Sequence, residues 1–367
     1  MSCIRCCLTV TIGLIISCAA LTAQAQLKEL RIGFINELTG PVASLGEVCS
    51  RGVAIALDVH APAGKVAGVP VKVLVGDARD DVKASLSEFE RLAGPEGAQV
   101  IVSIRSKSAI PIGPLAEKRG LPLVGIVGSP AFTAANRLAL RIFPPPDYEA
   151  AYEAGLSRRL GQQRIAIVNV EDEFAVGLAE GIQAAVEKDG RQIVYRETAA
   201  PQESNYAPII SKLKRARPDA IYAHLLTRSG LFIRQLREQG VKSQVFTWYW
   251  IQQPEQIAAA GQAALEGVIF TEVNSDKPLF QKAYHKLYPN QVYNSAAYLC
   301  YVSTAVVLEA AKRPQALTSQ AALREAVVGI PNVRLLDNDI PFKNREIQFD
   351  LTSKVFRAGK PVTFPEQ

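Results

Sequence analysis

KELRIGFINELTGPVASLGEVCSRGVAIALD, residues Lys28 to Asp58, is the stretch on which the reading of this chain turns. LRIGFI (Leu30 to Ile35) is an apolar run of strand length. Ser44-Leu45-Gly46-Glu47 reads as a capping box, in which a hydroxyl and a carboxylate satisfy orphan amides in the first turn of the helix that comes next. Between strand and helix lies Asn36-Glu37-Leu38-Thr39-Gly40-Pro41. Loops at the carboxyl ends of parallel strands are where open α/β sheets bind ligands, and helix-start amides there can hold an anion. An ordinary αβ domain opens the same way, so the surrounding sequence decides.

Upstream, Arg5 precedes the apolar segment Leu8 to Ile16, too short to span a bilayer but suited to the core of an export signal. Ala23-Gln24-Ala25 supplies the small-x-small cleavage pattern. Residues 1–25 are therefore expected to be a signal peptide, with the mature protein beginning at Gln26 in the periplasm. Ile15-Ile16-Ser17-Cys18 loosely resembles a lipobox, and the alternative is a lipid anchor on Cys18. Cys3, Cys6, Cys7 and Cys18 all fall within or beside the leader, which leaves Cys49 and Cys300. In an oxidising compartment those two can bridge, and two buried free thiols fit the sequence equally well.

The formal net charge of +6 is spread along helices among acids, with no basic run interleaved with aromatics, so a nucleic-acid partner is not expected. At 367 residues and 48% hydrophobic composition the chain exceeds one comfortable core, and two lobes are the natural outcome. Strands and helices alternate: VKVLV, then a helix through VKASLSEFERLA, QVIVSI, a short helix from Pro111 to Gly120, and LPLVGIV. The triple proline Pro144-Pro145-Pro146 forces extended chain and reads as a lobe crossing. A second array runs from RIAIVNV to GVIFTEV. Helices near Pro278 to Tyr288, Ser295 to Arg313 and Ser319 to Val328 have few strands of their own and are expected to return to the first lobe. The tail, REIQFD and KVFRAGKPV, looks like a β-hairpin. The expectation is an α/β protein of two doubly wound, Rossmann-like lobes, one formed by residues 26–145 and 275–332 and the other by 146–274 and 333–367.

Common catalysis lacks its parts. The three histidines, His60, His224 and His285, belong to no HExxH, and no GxSxG elbow, P-loop or GxGxxG is present. His224 ends a strand at the expected cleft and could serve as a general base, but no nucleophile is tied to it by motif, so a polar pocket-lining role is expected. No enzymatic activity, metal or cofactor is expected. Trp248, Tyr249 and Trp250 stand where a strand should end facing the cleft; they would suit an aromatic or extended apolar ligand, the alternative being one in the core and two at the surface.

Taken in order, IGFINELTGPVASLGEVCSRGVAIALD, VKVLVGDARDD, VIVSIRSKSAI, GLPLVGIVGSP, RIAIVNVEDEFAVGLAEG, PDAIYAHLLTRSGLFIRQLREQG and ALEGVIF resemble the type I periplasmic solute-binding proteins of the leucine/isoleucine/valine-binding family, across essentially the whole mature chain. The resemblance implies two lobes joined by three crossovers that close about a ligand, a membrane permease of an ABC importer as partner, and a monomer. It implies that Ser106 and Ser129 hold a ligand carboxylate, with Val127 beside them and Arg105 adding positive charge or pairing at the rim. Phe174 stands where the family has tyrosine, and Leu45 where it has an aromatic. Amino-acid binders of the family place an acid against the ammonium after a second-lobe strand, whereas this chain aligns Arg228 there, unless Arg228 points to solvent. An Arg at that place favours a small carboxylate, an aromatic or apolar organic acid, over an amino acid. The alternatives are a branched-chain amino-acid binder or a sensor feeding a membrane receptor.

Overall fold

The protein is described here by a computed structural model covering residues 26–291 and 293–365. The expected signal peptide, its cleavage site and Cys18 lie outside the described residues. The chain builds two sheets. The first has nine strands in the order 332–334, 339–343, 346–347, 139–141, 123–126, 100–104, 30–36, 69–77, 65–66. The second has seven, in the order 360–363, 351–357, 269–273, 244–248, 220–224, 164–170, 192–199. Helices cover both faces of the parallel strands, so strands such as Val100–Ile104 and Ala220–His224 are buried at every residue and, Ser103 and His224 apart, read as apolar runs.

Both sheets reverse their winding at one place. Leu30–Asn36 pairs in parallel with Val69–Asp77 on one side and Val100–Ile104 on the other, and Arg164–Val170 sits in the same way between Gln192–Ala199 and Ala220–His224. Loops leaving neighbouring strands at such a point diverge and open a crevice. The backbone passes between sheets three times: after Arg141, where Pro145 is extended and Pro146 begins the next helix; between Val273 and Pro278; and between Ile347 and Leu351.

Helix Ser295–Ala311 is buried almost end to end and packs on helix Ala43–His60. A Cβ added at Gly52 would stand 2.2 Å from the carbonyl oxygen of Ala297, so only glycine allows the two backbones to touch. Beside that contact Cys49 and Cys300 form a disulfide with their Cα atoms 5.2 Å apart.

Three expectations need correction. The first is the boundary at 332: strands 332–334, 339–343 and 346–347 belong to the nine-stranded sheet, and the third crossing comes after them. A buried Arg141 explains it, because its guanidinium pairs with Glu346 at 2.7 Å while the Arg345 guanidinium donates to the carbonyl of Asn136 at 2.6 Å. Second, the tail hairpin does not join REIQFD to KVFRAGKPV; it runs from Leu351–Arg357 to Lys360–Thr363. Its two-residue turn, Ala358-Gly359, has φ of 49° and 76°, the positive pair that a tight hairpin turn demands. Third, there is no capping box at Ser44. Val42 caps the helix without a side-chain bond, Glu47 pairs with Arg51, and the Ser44 hydroxyl donates to Glu255 at 2.8 Å, across to the other lobe. Among the described residues no helix is long and apolar enough to cross a membrane.

Candidate functional site

A cavity lies between the carboxyl ends of the two sheets. The first lobe contributes Leu45, the turn Ile104-Arg105-Ser106, Ile126 and Gly128. The second contributes Asp172, Phe174, Leu226 and the run Trp248-Tyr249-Trp250. Phe143 enters from the first crossing, and Cys49, Ala296, Leu299 and Cys300 close the base. Every strand-end loop that supplies a wall follows a parallel strand, as the winding of the sheets requires.

The aromatic side is packed ring on ring. Phe174 stacks on Trp248 with centroids 4.9 Å apart and planes 11° apart, and Phe143 meets Phe174 edge-on at 5.5 Å. Gly128 is the seat for this cover: a Cβ there would come within 2.0 Å of the Phe174 ring. Beneath Trp248 and Tyr249 lies a buried polar layer. His224 Nε2 stands 3.2 Å from Glu153 Oε2, both fully buried, and His224 meets Trp248 edge-on at 6.2 Å. Burial, and then the adjacent Glu153, push the Glu149 carboxyl well above its ordinary range.

The polar side is assembled from three loops. Arg105 leaves its strand at φ 70°, a left-handed conformation unusual for a residue with a side chain, and becomes the cap of helix Ser106–Lys118. Its guanidinium pairs with Asp80 and lies 5.6 Å over the Trp250 ring on the opposite lobe. Asp80 is held in turn, since its backbone amide donates to the Glu37 carboxylate, which also accepts from the Ser108 hydroxyl at 2.8 Å. Burial raises the Glu37 pKa; the bonds from Asp80 and Ser108 oppose it without reversing it. Ser106 opens the helix, so first-turn amides that no helix can pair internally, and the positive end of its dipole, stand at the cavity rim. Asp172, the one carboxylate in the lining, caps helix Glu173–Lys188 by accepting from the amides of Phe174 and Ala175 at Oδ1. The lobes meet around the mouth: Ser44 donates to Glu255 and Ser129 donates to Glu173. This is a closed arrangement.

The periplasmic binding protein family matches residues 29–357. The chain belongs to it, as a type I member of the leucine/isoleucine/valine-binding group. A Leu/Ile/Val-binding protein homolog from Brucella melitensis is 24% identical over 83% of this chain and 84% of its own length. A leucine-binding protein from Thermotoga maritima superposes with a TM-score of 0.82 at 20% identity, covering 92% of this chain and 98% of that one. A solute-binding protein of an ABC transporter from R. palustris, solved with benzoate, superposes at 0.79 with 16% identity, covering 91% and 95%. At those identities the two structures speak to the fold alone. The family is one of binding proteins, and this chain is a binding protein, not an enzyme.

In this binding protein Ser106, Arg105, Leu45, Phe174, Trp248 and Trp250 converge on the cavity. Four expected residues do not line it. Ser129 is turned to the lobe junction, where its hydroxyl bonds Glu173 and accepts from the amide of Ala131. Val127 packs into the first lobe's core with Phe132 and Ile112. His224 is sealed behind Trp248, which removes it as a general base acting on a bound molecule. Arg228 lies toward Tyr206, whose phenol is raised by burial to about 12 with the Arg228 charge opposing. The cause is Leu226, which takes φ 50° and itself fills the wall two residues before Arg228. Nothing in HLLTRSG, which has no Gly or Asn at that place, announces a left-handed turn. Asp172 was legible as a helix cap, in the pattern Asp-Glu-Phe ahead of an apolar run, but not as a wall residue. The Cys49–Cys300 bridge closes the base, a position that two cysteines 251 residues apart do not reveal.

Proposed function

We propose that this chain is the ligand-capturing component of an ABC importer, acting as an exported monomer on a small aromatic or apolar carboxylate. One observation carries the reading: a single guanidinium, Arg105, lines a cavity whose walls include the five rings of Phe143, Phe174, Trp248, Tyr249 and Trp250. The ligand's carboxylate bonds Arg105, the Ser106 hydroxyl and the first-turn amides, and its body lies among the rings. A charge-assisted bond from Arg holds an anion, and stacked aromatics favour a flat ring over a branched chain. Closure then presents both lobes to the permease.

Asp172 supports a second reading. Both of its bonds end on Oδ1, so Oδ2 could receive the ammonium of an amino acid such as the curated relatives bind. Titration calorimetry with benzoate, 4-hydroxybenzoate, 4-methylpentanoate and leucine separates the two. Tighter binding of 4-methylpentanoate than of its amino counterpart leucine, with benzoate tighter still, supports the aromatic-acid reading. Micromolar leucine with no measurable benzoate overturns it. In a thermal-shift format, ligand at a hundred times its Kd adds about 2.7 kcal/mol.

A further inference from the structure

We propose that the Cys49–Cys300 disulfide is a specificity-determining part of the ligand site, setting the length of ligand that the oxidised protein accepts. The proposal rests on reading the cavity between the lobes as the ligand site. Both cysteines line its base, and both are buried, at 1% and 0% exposure. They belong to helices Ala43–His60 and Ser295–Ala311. One turn along, Gly52 lies against the backbone of the second helix: a Cβ there would be 2.2 Å from the Ala297 carbonyl oxygen and 3.0 Å from the Tyr301 amide nitrogen. The helices therefore touch backbone to backbone beside the bridge, and the second is held in place by burial along nearly its whole length.

That packing decides where the sulfurs go when the bridge is opened. A dithiol such as dithiothreitol transfers two electrons and two protons, the S–S bond becomes two thiols, and the reagent closes to its own cyclic disulfide. Two non-bonded sulfurs need more room than a bonded pair. Parting the helices to give it would break the backbone contact at Gly52 and open the packing along helix Ser295–Ala311, which is buried almost end to end, so the thiols rotate about their Cα–Cβ bonds instead, and the open space beside them is the cavity. Reduction therefore shortens the site. Removing both sulfurs with Cys49→Ala/Cys300→Ala lengthens it.

Calorimetry with benzoate and its 4-methyl, 4-ethyl and 4-propyl derivatives reads both changes. The oxidised protein should show a length beyond which affinity falls. After reduction, with a melt confirming the fold, the longest ligand it accepted should weaken about tenfold relative to benzoate, as expected of overpacking. In the double alanine variant the cut-off should move outward, each newly accommodated methylene being worth about fourfold. An identical length profile in all three forms overturns the proposal. If opening the bridge unfolds the protein, the oxidised form still decides: thiol release during brief dithiothreitol exposure should slow as benzoate occupancy rises, and a rate indifferent to occupancy overturns it. Should the oxidised protein bind valine, leucine and norleucine and no benzoate, the aromatic-acid reading fails while the bridge is judged by the same profile on those amino acids.

Discussion

The two walls of the cleft are made differently. On the first lobe, Arg105 and Ser106 are held by a chain of polar bonds through Asp80 and Glu37 to loops from three strands, and beneath them a disulfide ties two helices. On the second, Phe174, Trp248, Tyr249 and Trp250 form a cover of packed rings, Phe174 stacked on Trp248 and the others tilted. The first wall can fix where a charge sits, because its donors are anchored at both ends. The second can exclude water and measure shape, because rings bury large area with little freedom to lose. A ligand with an anionic end and an apolar body needs both.

The largest expected effect breaks the first wall. Arg105→Met keeps the stem and removes the charge, leaving a ligand carboxylate without its cation in a closing cavity. Loss of one partner of a buried pair costs about 3–5 kcal/mol. Binding of benzoate should then fall by at least two orders of magnitude, while that of neutral benzamide should change little. Equal loss for acid and amide would show that Arg105 shapes the wall rather than pairing with the ligand.

Trp248→Leu breaks the second wall. Trp248 stacks on Phe174 and closes over His224, so the substitution should weaken aromatic acids by about 2–3 kcal/mol, in the range of aromatic anchors at interfaces. The measurement is the ratio of affinities for benzoate and cyclohexanecarboxylate. If it stays at the wild-type value, ring stacking does not select the ligand.

These two walls were unequally legible in the sequence. Period and run length place most of the parallel strands within a few residues, because burial on both faces of a parallel sheet leaves a near-continuous apolar signature; the short strands 332–334 and 339–343 and helices Pro254–Ala260 and Gln262–Leu265 carry no such run and were not foreseen. Helix Ser106–Lys118 begins earlier than its prolines suggest, since Pro111 and Pro114 lie inside it. The aromatic run Trp248 to Trp250 could be read because three large rings at a strand end have few other places to go. Direction was harder. Leu226 and Arg105 reach the cavity by way of positive φ values that no glycine marks, and at Leu226 the turn carries Arg228 away from the place where alignment put it. Ser129 keeps its place on the chain but turns its hydroxyl to Glu173, a choice made by the other lobe and so invisible locally.

The layer beneath the second wall sharpens the contrast through pH. Glu149 is fully enclosed on helix Pro146–Arg159, with Glu153 one turn on and Tyr249 within range of its charge. Burial first, and Glu153 second, raise its pKa above the ordinary 4.5, so the fold favours the protonated acid. This contribution to stability is fully present below 4.5 and is lost as pH rises toward the folded value, at up to about 1.4 kcal/mol per pH unit. Glu149→Gln should remove that slope and raise stability at neutral pH. Urea titrations at pH 4 and pH 7 check it, and a variant less stable than wild type at pH 7 would mean that the ionised carboxylate is what the fold uses.

The smallest effect tests how the walls meet. Ser44 and Ser129 each donate to a glutamate on the other lobe, Glu255 and Glu173, and neither Ser44 nor Ser129 belongs to the cavity lining. Such bonds exist only while the lobes are closed, so they add to the closed fraction and not to any contact with the ligand. Apparent affinity scales with that fraction, whatever is bound. Ser44→Ala should therefore cost about 1 kcal/mol, roughly fivefold, and the loss should be the same for every ligand in the benzoate series. Most of it should appear as faster dissociation, because opening is the step that the bond resists. Adding Glu255→Gln to Ser44→Ala should cost little more, since the two groups act as one pair. Arg105→Met changes the ranking of ligands, whereas Ser44→Ala should move them all together. A variant at Ser44 that reorders the ligands, or leaves the dissociation rate where it was, would show that the rim contributes to recognition rather than to closure.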